Sequence, residues 1–114
     1  VLNIEEYLIA ALNKEGYRAY ADVPSSRENV QEFVTVEMTG SSMQNQGVKR
    51  ATIAVQSWAP TRYKASVLAG DVDAFLRAGL PSLSQVDLNS LYNYPDPLTN
   101  NPRYQGVYNV VWNY

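Results

Sequence analysis

Two helical patterns framing a set of alternating runs predict an α+β fold, a mainly antiparallel sheet of four to five strands with two helices packed on one face. The helical signals are the capped repeat NIEEYLIAALNKEG at the front and PTRYKASVLAGDVDAFLRAG in the middle. The sheet signal is the alternation of EFVTVEMT and KRATIAVQSW, followed near the carboxyl end by VDLNSLYNY and RYQGVYNVVWNY. Helices and strands in the order helix, three strands, helix, two strands suit a two-layer sandwich of this kind.

The first helix is punctuated at both ends. Asn3 is placed to cap it, Glu6 stands at the capping-box position, and Ile4, Tyr7, Leu8, Ala11 and Leu12 repeat at helical spacing. Gly16 supplies the left-handed stop. RAYADV, residues 18–23, reads as a short extended run and PSSREN as a loop. In the next run Val34, Val36 and Met38 share one side and Phe33, Thr35 and Glu37 the other; in the run after it Ala51, Ile53 and Val55 oppose Thr52, Gln56 and Trp58. These two runs form an antiparallel hairpin, with GSSMQNQG, residues 40–47, as its eight-residue loop.

The second helix is expected from Pro60 to Ala78, with Pro60 in its first turn and Gly79 and Pro81 as its stop. Ala65, Leu68, Ala69, Val72, Phe75 and Leu76 make its core stripe, and Arg62, Ser66, Asp73 and Arg77 fall on the side away from it. In the last run Tyr104, Tyr108, Val110, Trp112 and Tyr114 share a face, expected to be core. The sheet's second face then needs its own cover, for which Phe33, Trp58 and some of the nine tyrosines are the candidates.

Composition narrows the chemistry. A chain of 114 residues, 46% hydrophobic and 18% charged, is a single globular domain, residues 1–114, able to bury one core. Nine basic against eleven acidic residues give a formal charge of −2, which argues against a broad electrostatic grip on nucleic acid. Cysteine and histidine are absent, so disulfides, thiol nucleophiles and Cys/His zinc sites are excluded. No apolar run approaches the roughly 18 residues of a membrane span, and VLNIEEYL lacks the basic region of a signal peptide, so the chain reads as made and used without export.

No catalytic, cofactor-binding or metal-binding residues emerge. Asp71 and Asp73 diverge in direction on the second helix and read as a solvated face, Ser41 and Ser42 lack both a nucleophile-elbow frame and a histidine base, and the Gly40–Gly47 segment lacks the ending of a phosphate loop. Lys49 and Arg50 are adjacent and point to opposite faces of a strand. A small ligand-binding module would need a pocket lined by tyrosines, and a nucleic-acid-binding module would need a basic stripe; both remain alternatives.

The front NIEEYLIAALNKEGYRAYADVP, the central ATIAVQSWAPTRYKASVLAGDVDAFL and the final RYQGVYNVVWNY together resemble the tail terminator and tail completion proteins of long-tailed bacteriophages. The likeness covers nearly the whole chain in order and spacing and rests on hydrophobic patterns. It implies a structural virion protein of the tail or neck, assembled in the host cytoplasm as a hexameric ring that ends tail growth and joins the tail to the head connector. The implied partners are further copies of the chain, the tail tube protein and head-tail connector proteins, with genome DNA passing through the lumen without sequence-specific binding and no membrane. A related neck or head-completion role is implied equally. No catalytic residue and no cofactor are implied. On that reading the assembly surface is expected at Ser41, Ser42, Met43, Gln44, Asn45 and Gln46 of the hairpin loop, at Trp58 in the strand-to-helix junction, and at Arg62 and Arg77 on the exposed side of the second helix. Met43 is the one apolar anchor in that loop.

Overall fold

Asn3 accepts a hydrogen bond from Glu6 N at 3.0 Å and opens helix α1, Ile4–Glu15, in the computed structural model, which describes residues 3–24, 32–43 and 47–113. Gly16 closes it at φ 114°, where a side chain would be strained, and its N–H returns to Asn13 O. Six strands or helices follow: β1 Ala19–Tyr20, β2 Phe33–Met43, β3 Val48–Trp58, α2 Arg62–Arg77, β4 Gln85–Asn93 and β5 Arg103–Asn113. The strands form one sheet in the order β1-β2-β3-β5-β4, antiparallel throughout except for the parallel pair β1 and β2. This is the expected α+β architecture.

Both helices cover the same face. Ile4, Leu8 and Leu12 of α1 and Val72 and Leu76 of α2 meet Val34, Val36, Ala51, Ile53, Val55, Tyr108, Val110 and Trp112 of the sheet in one core. The period-two alternation therefore reports the buried face correctly in β2, β3 and β5. Met38 departs from it. It lies 40% exposed beside a register shift between Met38 and Gly40, near the start of α1 where the helical layer ends, and its N–H is taken by the Glu5 carboxylate at 2.6 Å.

Three boundaries differ from expectation. β2 and β3 continue pairing through Ser41↔Ala51, Ser42↔Arg50 and Met43↔Lys49, so the first half of the supposed eight-residue loop, residues 40–43, is strand. Gly and Ser are weak strand formers, and the paired backbone of β3 overrides their preference. The first extended run shortens to two residues, clamped by the Asn13 side chain, which accepts from Ala19 N at 2.9 Å and donates to Ala19 O at 3.1 Å. Thr61, with extended φ and ψ, is the cap of α2 and accepts from Lys64 N at 3.2 Å, so Pro60 precedes the helix. Ala59, buried, bridges Trp58 to that cap and donates to Pro102 O. Three residues thus turn β3 into α2.

Gly106 in β5 is required by a close approach. A Cβ there would lie 2.8 Å from Cε1 of the buried Tyr108 ring, which lies over it. Gly106→Ala should push that ring out of place and destabilise the fold by about 1–3 kcal/mol, read as a lower midpoint in urea unfolding with an unchanged slope.

Candidate functional site

The face of the sheet opposite the helices builds its own cover from side chains in register. Phe33 and Trp58 are direct cross-strand partners whose rings stack at 5.4 Å and 11°, and both are buried. Arg103, the β5 partner of Trp58, lays its guanidinium 4.9 Å from the Trp58 ring and 4.5 Å from Tyr94, and its Nε donates to Tyr94 O at 2.7 Å. Tyr20 meets Phe33 edge-on from β1, and Tyr92 meets Tyr94 in the same way beyond β4. An aromatic and cationic row thus crosses the end of the sheet.

The next row is polar. Trp58 Nε1 donates to Thr35 Oγ1 at 3.1 Å, Thr35 Oγ1 donates to Gln56 Oε1 at 2.9 Å, Gln56 Nε2 donates to Gln105 Oε1 at 2.8 Å, and Gln105 Nε2 donates to the Tyr92 hydroxyl. Thr35, Gln56, Gln105 and Tyr92 are register partners across four strands, so each donor faces its acceptor along a line perpendicular to the chain. A linked series of this kind satisfies each half-buried amide and polarises its neighbours. Further along, Thr52 Oγ1 donates to Asn109 Oδ1 at 3.3 Å.

On the helical side one carboxylate is enclosed. Asp73 is 7% exposed; it accepts from the Tyr108 hydroxyl at 2.9 Å and from Arg77 Nε and Nη2 at 3.0 and 2.8 Å. The expectation of a solvated Asp73 is overturned, because Tyr108 rises from β5 beneath α2 and draws the carboxylate inward. Arg77, half exposed, completes the pair from above. Burial first, then the bond to Asp73 and its negative charge, raise the ionisation of Tyr108 far above that of a free phenol. Burial raises Tyr17 as well, helped by Asp71 and Glu15.

Of the residues expected at an assembly surface, Trp58 is buried within its own chain and stays there as core. Arg77 is committed to Asp73, whereas Arg62 is exposed at the start of α2. Ser41 is exposed; Ser42 and Met43 belong to the paired end of β2, and Gln44, Asn45 and Gln46 lie outside the described residues. Those of these positions that are described do not come together in one place: Ser41 pairs with Ala51, away from the β3 end that carries Trp58 and leads to Arg62. Large apolar side chains that sequence reasoning did not single out are exposed instead: Tyr63 at 76% and Val67 on α2, Leu91, Tyr92 and Tyr94 around β4, and Leu98 in the loop before β5. Tyr63 and Val67, four apart, were legible as a second apolar pair on the outer side of α2.

Between the helices runs a groove of about 530 Å³, lined by Tyr7, Ala10 and Ala11 of α1, Phe75 of α2 and Leu80, Pro81 and Ser82 beyond it, with Lys14 and Glu15 at its rim. The Tyr7 hydroxyl accepts from Ser82 N at 3.1 Å and ties the two walls together. Among the described residues no group of three or more Asp or Glu gathers where it could hold a metal ion. No protein-family model matches the chain, and no curated protein sequence matches it significantly.

The enclosed phenol predicts an alkaline instability. Because Tyr108 and Tyr17 ionise less readily folded than unfolded, their contribution is complete below about pH 10 and is lost as pH rises above it, by up to roughly 1.4 kcal/mol per pH unit for the enclosed Tyr108 and by less for the more solvated Tyr17. Tyr108→Phe should be less stable than the natural chain at pH 7 by about 1.5–3 kcal/mol, the worth of a hydrogen bond to a charged group, and should lose less between pH 9.5 and 11. Denaturant unfolding across that range measures both effects.

Proposed function

We propose that this chain is a structural protein of the virion of a long-tailed bacteriophage, a tail terminator that assembles as a ring and plays a purely mechanical role at the tail-to-head joint.

 The reading assigns it no catalytic residue: what it contributes is a rigid wedge repeated around an axis. Its partners would be further copies of itself, the tail tube and the head-tail connector, with DNA crossing the lumen unread.

The observation that carries this reading is the placement of the exposed apolar side chains. Tyr63 and Val67 stand on the outer side of α2, Leu98 stands on a loop, and the inter-helix groove opens on the helical layer. The Tyr63 and Val67 pair and the groove are two separate apolar surfaces that contacts with other macromolecules would bury. A ring needs such unlike surfaces, because each protomer presents one patch to the neighbour ahead and another to the neighbour behind. The order of elements along the chain, resembling that of tail terminators, supports the same role. The short turn from Trp58 to Thr61 would hold α2 at a constant angle to the sheet, which a repeating interface requires.

The start of α2 then lies in the lateral contact. Arg62→Glu should weaken self-association about tenfold, close to 1.4 kcal/mol, and leave thermal unfolding unchanged, because Arg62 is exposed. Arg77→Glu is a different case: it sets a second carboxylate against the enclosed Asp73 and should lower the melting temperature as well. Light scattering with and without purified tail tubes checks the reading. A protein that stays monomeric in both conditions would refute it.

A further inference from the structure

The loop between β4 and β5 is built to hold one leucine in water. Leu98 is 93% exposed, yet the turn beneath it is closely bonded. Asp96 O accepts from Asn100 N at 2.7 Å and Asp96 N donates to Asn101 O at 3.1 Å, while the Asp96 carboxylate takes Leu98 N at 3.1 Å and Thr99 Oγ1 at 2.9 Å. Asn100 adopts φ 58°, a left-handed conformation that asparagine tolerates better than most residues. Pro95 and Pro97 stiffen the approach. The loop's base is closed by Tyr94 N donating to Arg103 O and Arg103 Nε donating to Tyr94 O. A turn with this many internal bonds keeps its tip in place before any partner arrives, so little ordering is left to oppose binding.

The same chain carries a receptor for such a tip. The groove between α1 and the segment after α2 presents Tyr7, Ala10, Ala11, Phe75, Leu80 and Pro81, an apolar floor and walls of the size that holds a few side chains. Leu98 does not fill the groove of its own protomer, as its exposure shows. The loop leaves the sheet where Trp58 pairs with Arg103, and the Leu80–Ser82 wall leads to Ser84, which bonds Val111 at the other end. Nearly the full length of β5, about 30 Å at the rise of an extended chain, separates those two ends.

We propose that Leu98 of one copy seats in the inter-helix groove of a second copy, making a head-to-tail contact between identical chains. Charge supports a copy of this chain as the occupant. Asp96 is the loop's one charged residue, and Lys14, which has no ion pair among the described residues, offers it a counter-charge at the groove's rim. Glu15, also on the rim, meets a loop that brings the side-chain amide of Asn100 as a donor. The contact is unlike on its two sides, so it closes only as a ring or continues as a filament. It rests on the ring reading above, for which it supplies a lateral contact.

The absence of cysteine from the chain makes the test direct. Leu98→Cys and Ala10→Cys are made as separate variants, mixed and oxidised; Ala10 is exposed on α1, so both should fold. A disulfide-linked dimer formed in the mixture, and in far smaller yield by either variant alone, is the expected result. Leu98→Asp, with its melting temperature unchanged, should reduce self-association by roughly ten- to a hundredfold, the range expected for exposing one buried leucine. A ring by light scattering with no cross-link in the mixture would overturn this contact and leave the ring standing. A monomer at every concentration would overturn both. Cross-linking of Ala10→Cys to the tail tube protein, or a small molecule displaced from the groove, with Leu98→Asp assembling as the natural chain does, would also overturn it.

Discussion

A sheet of five strands has two faces, and the two helices among the described residues are both spent on one of them. Everything on the other face follows from that imbalance. There Phe33 and Trp58 are stacked one on the other, and Arg103 lies across the Trp58 ring. The Arg103 stem and guanidinium cover aromatic surface at little desolvation cost, since the weakly hydrated fork keeps contact with solvent. Beside this row the open face turns to amides and hydroxyls, and the series from Trp58 through Thr35, Gln56 and Gln105 to Tyr92 satisfies them without water. Among the described residues, this face is covered by side chains of the sheet itself.

The helical face depends on a different device, a single enclosed carboxylate. Asp73 joins α2 to β5 through Tyr108, and Gly106 provides the space in which the Tyr108 ring lies. The ion pair with Arg77 offsets the desolvation of the carboxylate, and the phenol occupies a further lone pair. Helix α2 is thereby held at both ends, by the three-residue turn from Trp58 at its start and by Asp73 and Leu76 near its finish. Its angle to the sheet is a property of the fold, so in the proposed ring the contacts made by its outer side would be the same in every copy.

Local signals were legible where the cause is local. Asn3 and Gly16 bound α1 as their cap chemistry requires, the alternation of β2, β3 and β5 reports the buried face, and Phe33 and Trp58 lie on the second face as their spacing implies. What escaped depends on residues distant in sequence. Asp73 looks like a solvated helix residue until Tyr108, 35 positions later, reaches it. Gly40, Ser41 and Ser42 look like a loop until β3 pairs with them. Trp58 looks available at a junction until Phe33 and Arg103 close over it from two neighbouring strands.

Those distant pairings also move the centre of interest on the surface. With Trp58 and Arg77 committed within the chain, the described surface still offers a partner Arg62, the apolar pair Tyr63 and Val67, the bonded loop that carries Leu98 and the groove walled by α1. Leu98 is left almost wholly in water, while the turn beneath it uses both carboxylate oxygens of Asp96 in holding it still. A fold that commits so many bonds to a water-exposed leucine gains nothing in its own stability from the side chain. In the proposed contact the gain comes from burial against a second copy, whose apolar groove is the surface that receives it.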